Sequence, residues 1–202
     1  MSLEAAILGF LSERPRSGYD LKTRCFDSAV RGFWTADQAQ IYRTLDRFQS
    51  ARLVTSKLKR QSGKPDRRIY QITPAGTGSL ASWLAERVSL PPARDAFLLR
   101  MYFGASSPDE QLLSSLSEMR ELHQERLNDL RSQLLTPQPG ADPVDPRSSK
   151  LREAAFDGAI ASERATIDWL DNCIEMIEQG KLPAALPDSE SGRQAAQGQV
   201  SA

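Results

Sequence analysis

The sequence predicts a mostly helical, α+β protein in two parts, and three observations predict it. Apolar residues recur at helical spacing through most of the 202 residues, the signature of amphipathic helices. Two short β-rich runs around a polar turn interrupt that rhythm once, near residue 60. Charge is also divided. The totals of 26 Lys+Arg and 26 Asp+Glu cancel, yet residues 1–74 hold 14 basic against 7 acidic side chains, a net of +7, and the remainder carries −7. Opposite halves of this kind suggest a part that meets nucleic acid joined to a part that does not.

Leu3, Ala6, Ile7, Phe10 and Leu11 share one helical face and the pattern stops at Pro15, predicting a first helix over 3–13. Ser17-Gly-Tyr-Asp20 has the form of a capping box, so a second helix is expected from about 18 to 27. After Gly32-Phe33-Trp34, Asp37 can cap a third helix whose Ile41, Leu45 and Phe48 form the apolar stripe. Gln38, Gln40, Arg43, Thr44 and Arg47 fall largely off that stripe, which assigns them to the outward face. Residues 53–58 and 68–72 read as strands joined through Gln61-Ser-Gly-Lys-Pro-Asp66. Six of the twelve residues from 57 to 68 are basic (Lys57, Lys59, Arg60, Lys64, Arg67 and Arg68), and only Asp66 opposes them. Thr73-Pro74, a cap followed by proline in the first turn, starts a fourth helix through Leu80, Trp83 and Leu84.

The remainder is helical and acidic. Phe97, Leu98, Met101 and Tyr102 mark a short apolar helix, and Ser107-Pro-Asp-Glu110 opens a longer one reaching about Leu135. Along it Leu112, Leu116, Met119, His123, Leu127, Leu130 and Leu134 alternate in steps of three and four, nearly a heptad seam. Pro137, Pro139, Pro143 and Pro146 make 136–146 a loop. A last helix carries Phe156, Ile160, Ile167, Leu170, Ile174 and Ile177 on one side and stops at Gly180. Beyond about 184 no period survives, and disorder is expected. The expected domains are 1–87, 88–181 and a tail over 182–202.

Several function classes are excluded at this level. No apolar run approaches the roughly 18 residues that a bilayer requires. Glu4 interrupts the first apolar stretch and no small-residue cleavage site follows, so a cytoplasmic protein without a membrane partner is expected. Cys25 and Cys173 lack Cys or His neighbours at ligand spacing, which argues against a metal site or a disulfide framework. With one His there is no nucleophile and base pair, and no Gly-rich phosphate loop appears, so neither an enzyme nor a cofactor is expected.

Three short helices followed by a basic hairpin are the element order of a winged helix-turn-helix, whose third helix enters the major groove while the hairpin tracks the backbone. Base edges require donors and acceptors on a rigid rod, a role for which Gln38, Gln40, Arg43 and Thr44 are the candidates. Phosphates require mobile or forked cations and hydroxyls. The backbone candidates are Tyr42, Arg47, Lys57, Lys59, Arg60, Lys64, Arg67 and Arg68. Tyr42 reads equally well as a packed ring with a wet tip, and Asp37 as a cap whose charge would repel a phosphate. A basic loop can be a mere solvated turn, but that does not explain a cationic hairpin directly after a polar-faced helix.

Ala6-Ile-Leu-Gly-Phe-Leu11, Ser17-Gly-Tyr-Asp-Leu21, Gln40-Ile-Tyr-Arg-Thr-Leu45, Gly63-Lys-Pro-Asp-Arg-Arg-Ile-Tyr70, Ile72-Thr-Pro-Ala-Gly76 and Asp95-Ala-Phe-Leu-Leu99 occur in one order. Together they resemble the PadR family of transcriptional regulators across roughly residues 3–104. The long C-terminal part is similar to the larger PadR subfamily, which includes relatives that activate virulence genes. The resemblance implies a homodimer, double-stranded operator DNA as partner, and in many members repression relieved by a small hydrophobic or phenolic molecule. A family cavity near the domain junction would here involve Trp83, Phe97, Met101 and Tyr102. The dimer seam would be Leu112, Leu116, Met119, His123, Leu127, Phe156, Ile160, Ile167, Leu170 and Ile174, a stripe too apolar for a short hairpin of helices to hide, with His123 setting register. Asp66, where members more often carry a second Pro or an Arg-Pro pair, and Asp37, where Ser or Thr is common, depart from the pattern. The alternatives are a winged-helix module that holds a protein partner, and an activator of the same family without an effector.

Overall fold

The computed structural model describes residues 2–60, 66–88, 94–135 and 145–183. The chain divides into two units, Met1–Ser89 with Gln133–Val144 and Leu90–Ser132 with Asp145–Ala202. In the first, α1 (Ser2–Glu13), α2 (Gly18–Asp20), α3 (Gln38–Ser50) and α4 (Pro74–Ala85) surround a three-stranded antiparallel sheet of β1 (Arg16–Ser17), β2 (Val54–Lys59) and β3 (Arg67–Ile72), ordered β1-β3-β2.

The capping box at Ser17 forms. Its hydroxyl accepts from the Asp20 backbone N–H at 3.1 Å, and the Asp20 carboxylate accepts from the Ser17 N–H at 3.3 Å. The second helix then departs from the expected regular helix over 18–27, because from Leu21 to Ala29 it widens into π-helical turns that bury Leu21, Cys25 and Phe26. β1 escapes sequence reading because two residues carry no alternation. It is set by partners, Arg16 opposite Tyr70 and Ser17 opposite Ile69.

On α3 the buried residues are Ile41, Thr44, Leu45 and Phe48. Thr44 therefore corrects the assignment made from the stripe: at 5% exposure it is inside the core. It stands three residues after Ile41 and four before Phe48, spacings that share one helix face. Ile7, Leu8, Leu11, Val54 and Tyr70 complete the core with these residues.

Where α3 passes into β2, Arg52 takes a left-handed φ of 58°, and the Thr73 N–H donates to the Leu53 carbonyl at 3.0 Å. Thr73 caps α4 by accepting from the Gly76 N–H at 3.1 Å. Gly76 is required by proximity, since a Cβ there would lie 2.2 Å from the Leu53 oxygen.

In the second unit, α5 (Ala96–Tyr102) is capped by Asp95, and α6 (Asp109–Leu135) and α7 (Pro146–Glu178) are the long helices. Asp145 caps α7, accepting from the Arg147 and Ser148 N–H groups at 3.0 Å each. Gly180, with φ of 61°, follows its end.

The seam residues pack within one chain. Leu127 and Leu130 of α6 meet Ile160 and Ile167 of α7, with Phe156 alongside. Leu116 meets Leu170 and Ile177, flanked by Phe97, Met101, Leu112, Met119 and Ile174. His123 contacts Glu163. These positions therefore pack against one another within one chain, the stripe of α6 against that of α7. From α5 onward the large apolar side chains left exposed among the described residues are Leu98, Leu99, Tyr102, Phe103, Leu122, Leu134, Leu135 and Leu151.

Cys25 is buried and Cys173 half-buried, both free, and burial pushes the Cys25 thiol up to about 11. No helix among the described residues is long and apolar enough to cross a membrane. Most of the expected turn 61–66, including Lys64, most of the loop 136–146 and residues 184–202 lie outside the described residues.

Candidate nucleic-acid interface

The interface is built on α3. Asp37 accepts from the Gln40 N–H at 3.3 Å and so fixes where the helix begins, while the inward stripe fixes which side it buries. Gln38, Gln40 and Arg43 are left exposed on the opposite side, with amide and guanidinium groups on a rigid rod as base-edge recognition requires. Asp37 itself is spent on capping.

Tyr42 is part packing and part surface. At Gly18 a Cβ would lie 2.6 Å from Tyr42 Cε1 and 2.8 Å from Cζ. The ring thus rests directly on the first turn of α2, and only glycine admits it there. Arg47 pairs with Glu4 on α1, a partner that no short-range pattern announces.

The β2–β3 register assigns each hairpin residue a face, because opposite residues of an antiparallel pair point the same way. Val54 is opposite Ile72 and Ser56 opposite Tyr70, and this face carries the core. Lys57 opposite Ile69 and Lys59 opposite Arg67 lie on the other face. Lys57, Lys59 and Arg60 are exposed and form no ion pair among the described residues. Arg68 is exposed beyond the core on the Tyr70 side. Burial raises the Tyr70 phenol's pKa, partly offset by the Arg68 guanidinium beside it.

Arg67 differs from the other hairpin cations. Its Nη2 donates to Asp20 Oδ1 at 3.2 Å and to Ser17 Oγ at 3.4 Å. Burial alone would raise the Asp20 carboxyl, but hydrogen bonds from Ser17 and the charges of Arg67 and Arg24 hold it below its ordinary value. The sequence singled out Asp20 as a cap; its second partner, 47 residues later, could be found only through the β1–β3 pairing.

The four residues suggested for an effector cavity have different surroundings. Trp83 lines a pocket of about 300 Å³ in the first unit, over Leu8, Phe48 and Leu53, with Glu4 and Arg47 also lining it. In the second unit Phe97 meets Trp169 edge to face at 6.2 Å and Met101 packs nearby, whereas Tyr102 is 79% exposed.

Residues 7–82 match the Transcriptional regulator PadR-like family and residues 93–178 match the Virulence activator alpha C-term family. A probable transcriptional regulator of Mycobacterium tuberculosis is 33% identical over 193 residues, covering 89% of this chain and 99% of that protein. The negative transcriptional regulator PadR of Bacillus subtilis is 26% identical, covering 88% and 98%. Its crystal structure in complex with operator DNA matches with a TM-score of 0.74 at 25% identity over 88% of this chain and 99% of that one. Its complex with p-coumaric acid matches at 0.70, with 25% identity and the same coverage. By sequence and by fold, the chain belongs to the PadR-like family of transcriptional regulators, in the branch with a virulence-activator C-terminal region, and not to a family of enzymes.

Proposed function

We propose that this regulator binds double-stranded operator DNA as a homodimer in the cytoplasm and acts as a repressor relieved by a small hydrophobic or phenolic effector. The observation that carries the reading is one array of groups: Gln38, Gln40 and Arg43 exposed on α3, with the exposed cations Lys57, Lys59 and Arg60 on the hairpin. Amides and a guanidinium on the helix would discriminate bases, and flexible cations would neutralise phosphates. Structures of B. subtilis PadR with operator DNA and with p-coumaric acid support the partner and the effector class. Leu98, Leu99, Tyr102 and Phe103, clustered in sequence and exposed, are the apolar surface a second copy would cover.

Sequencing the genomic fragments retained by the purified protein tests this and yields the operator. On that operator, Gln40→Ala should lose discrimination at particular bases, while Lys57→Ala with Lys59→Ala should weaken specific and random DNA alike. Equal losses on both DNAs for Gln40→Ala would contradict its role. A promoter fusion reports the sign of regulation, with rising output in a deletion strain expected of a repressor.

A further inference from the structure

Arg67 sits in a cationic hairpin, yet its charge is turned toward the protein. Besides Asp20 and Ser17, its guanidinium lies 5.6 Å from the centre of the Tyr19 ring. Asp20 is only 17% exposed and Arg67 34%. The carboxylate also accepts from the Ser17 hydroxyl at 2.6 Å and faces Arg24 at 3.7 Å. Ser17 is itself in β1, paired with Ile69 of β3. The end of β1, the first turn of α2 and the start of β3 therefore converge on one carboxylate.

We propose that Asp20 and Arg67 are a positioning pair, a clamp that sets the hairpin against the helix-turn-helix so that its exposed cations meet the DNA backbone when α3 occupies the groove. Arg67 then acts through the hairpin's placement and not by touching a phosphate. A two-stranded hairpin is marginal alone, and β1 supports it with only two residue pairs. Rotation of the hairpin about its root must be limited by side chains, and the planar guanidinium, bonded at one edge and stacked on Tyr19, limits it. A half-buried ion pair adds only modestly to stability against its desolvation cost, so the clamp's main effect falls on DNA affinity, by removing the cost of ordering the hairpin at binding.

The inference rests on the DNA-binding reading and makes a prediction of opposite sign to the simpler view of Arg67. The variants are Asp20→Asn, which keeps a side-chain oxygen for the cap, Arg67→Gln and the double variant. They are compared by anisotropy on the retained operator, with circular dichroism and amide exchange of β3 on the same samples. The clamp predicts that Asp20→Asn binds about 3- to 30-fold more weakly, that the double variant is no weaker than the weaker single, and that Ile69 and Tyr70 exchange faster in both singles. If Arg67 is a phosphate contact held by Asp20, Asp20→Asn binds tighter or unchanged, its salt slope steepens by up to about 0.9, and the proposal is overturned. Additive losses in the double variant overturn it too. Should the unaltered protein retain no DNA, the DNA reading fails, and unchanged β3 exchange in Asp20→Asn then separately refutes the clamp.

Discussion

Gly18→Ala probes how closely the two helices of the DNA-binding motif must approach. Carbon atoms pack favourably at about 3.5–4.0 Å, and the added methyl would meet the Tyr42 ring at 2.6 Å, so ring or helix must move by about 1 Å. Insertions of this kind cost about 1–3 kcal/mol, while alanine gains up to about 1 kcal/mol over glycine in a helix. The net expectation is a loss of about 0.5–2 kcal/mol. At about 4–8 °C per kcal/mol for a domain near this size, the melting temperature falls by about 2–16 °C. Thermal unfolding of a cycle with Tyr42→Ala isolates the cause. With the ring absent the three closest contacts of the methyl are gone, so Gly18→Ala becomes neutral or stabilising, a coupling of about 1–3 kcal/mol. Additivity within about 0.5 kcal/mol would refute the reasoning.

Gly76→Ala should be more severe, because the methyl would face the Leu53 backbone oxygen at 2.2 Å and backbone cannot rotate aside; a loss of about 2–4 kcal/mol in chemical unfolding is expected, at and above the upper end of the usual range for overpacking. Glu163, 7% exposed, lies 2.5 Å from His123 Nδ1 and pairs with Arg126, whose Nε is 3.2 Å away. Glu163→Ala removes a partner of both and should cost about 1–3 kcal/mol, with Glu163→Gln costing less in the same thermal melts. The pH dependence follows from Asp20, whose carboxyl is held below its ordinary 3.8 in the folded protein. Its contribution is therefore present above about pH 4 and lost as pH falls through the depressed value. The stability difference between the unaltered protein and Asp20→Asn should be constant from about pH 5 to 8 and shrink below about pH 4; shrinkage on raising the pH would contradict that sign.

Features encoded locally were legible in the sequence. The capping box at Ser17, the cap at Asp37, proline in the first turn of α4 and Gly180 each act within four residues, and each stands where the pattern puts it. The β-rich runs 53–58 and 68–72 were likewise sufficient for both strands, which stand at 54–59 and 67–72. What depends on distant partners was not legible. Thr44 was judged by its polarity, although its position between Ile41 and Phe48 buries it. The stripes at 112–134 and 156–177 were correctly apolar, but periodicity cannot tell a helix of the same chain from one of another. Arg47 and Arg67 stood as DNA-backbone candidates with no protein partner in view, because Glu4 and Asp20 lie 43 and 47 residues away in sequence. Of the candidate interface, the exposed positions on α3 were visible in advance; the division of the basic residues into exposed and engaged was not.

The central claim is that the cationic face of the first unit meets DNA phosphates while α3 reads bases. The most direct measurement is operator affinity by anisotropy as salt is raised from about 50 to 200 mM, for the unaltered protein and for Lys57→Ala with Lys59→Ala. Counterion release predicts a straight fall of log affinity with log salt, shallower by about 0.9 for each phosphate contact removed. Affinity indifferent to salt, or an identical slope in the variant, would contradict it.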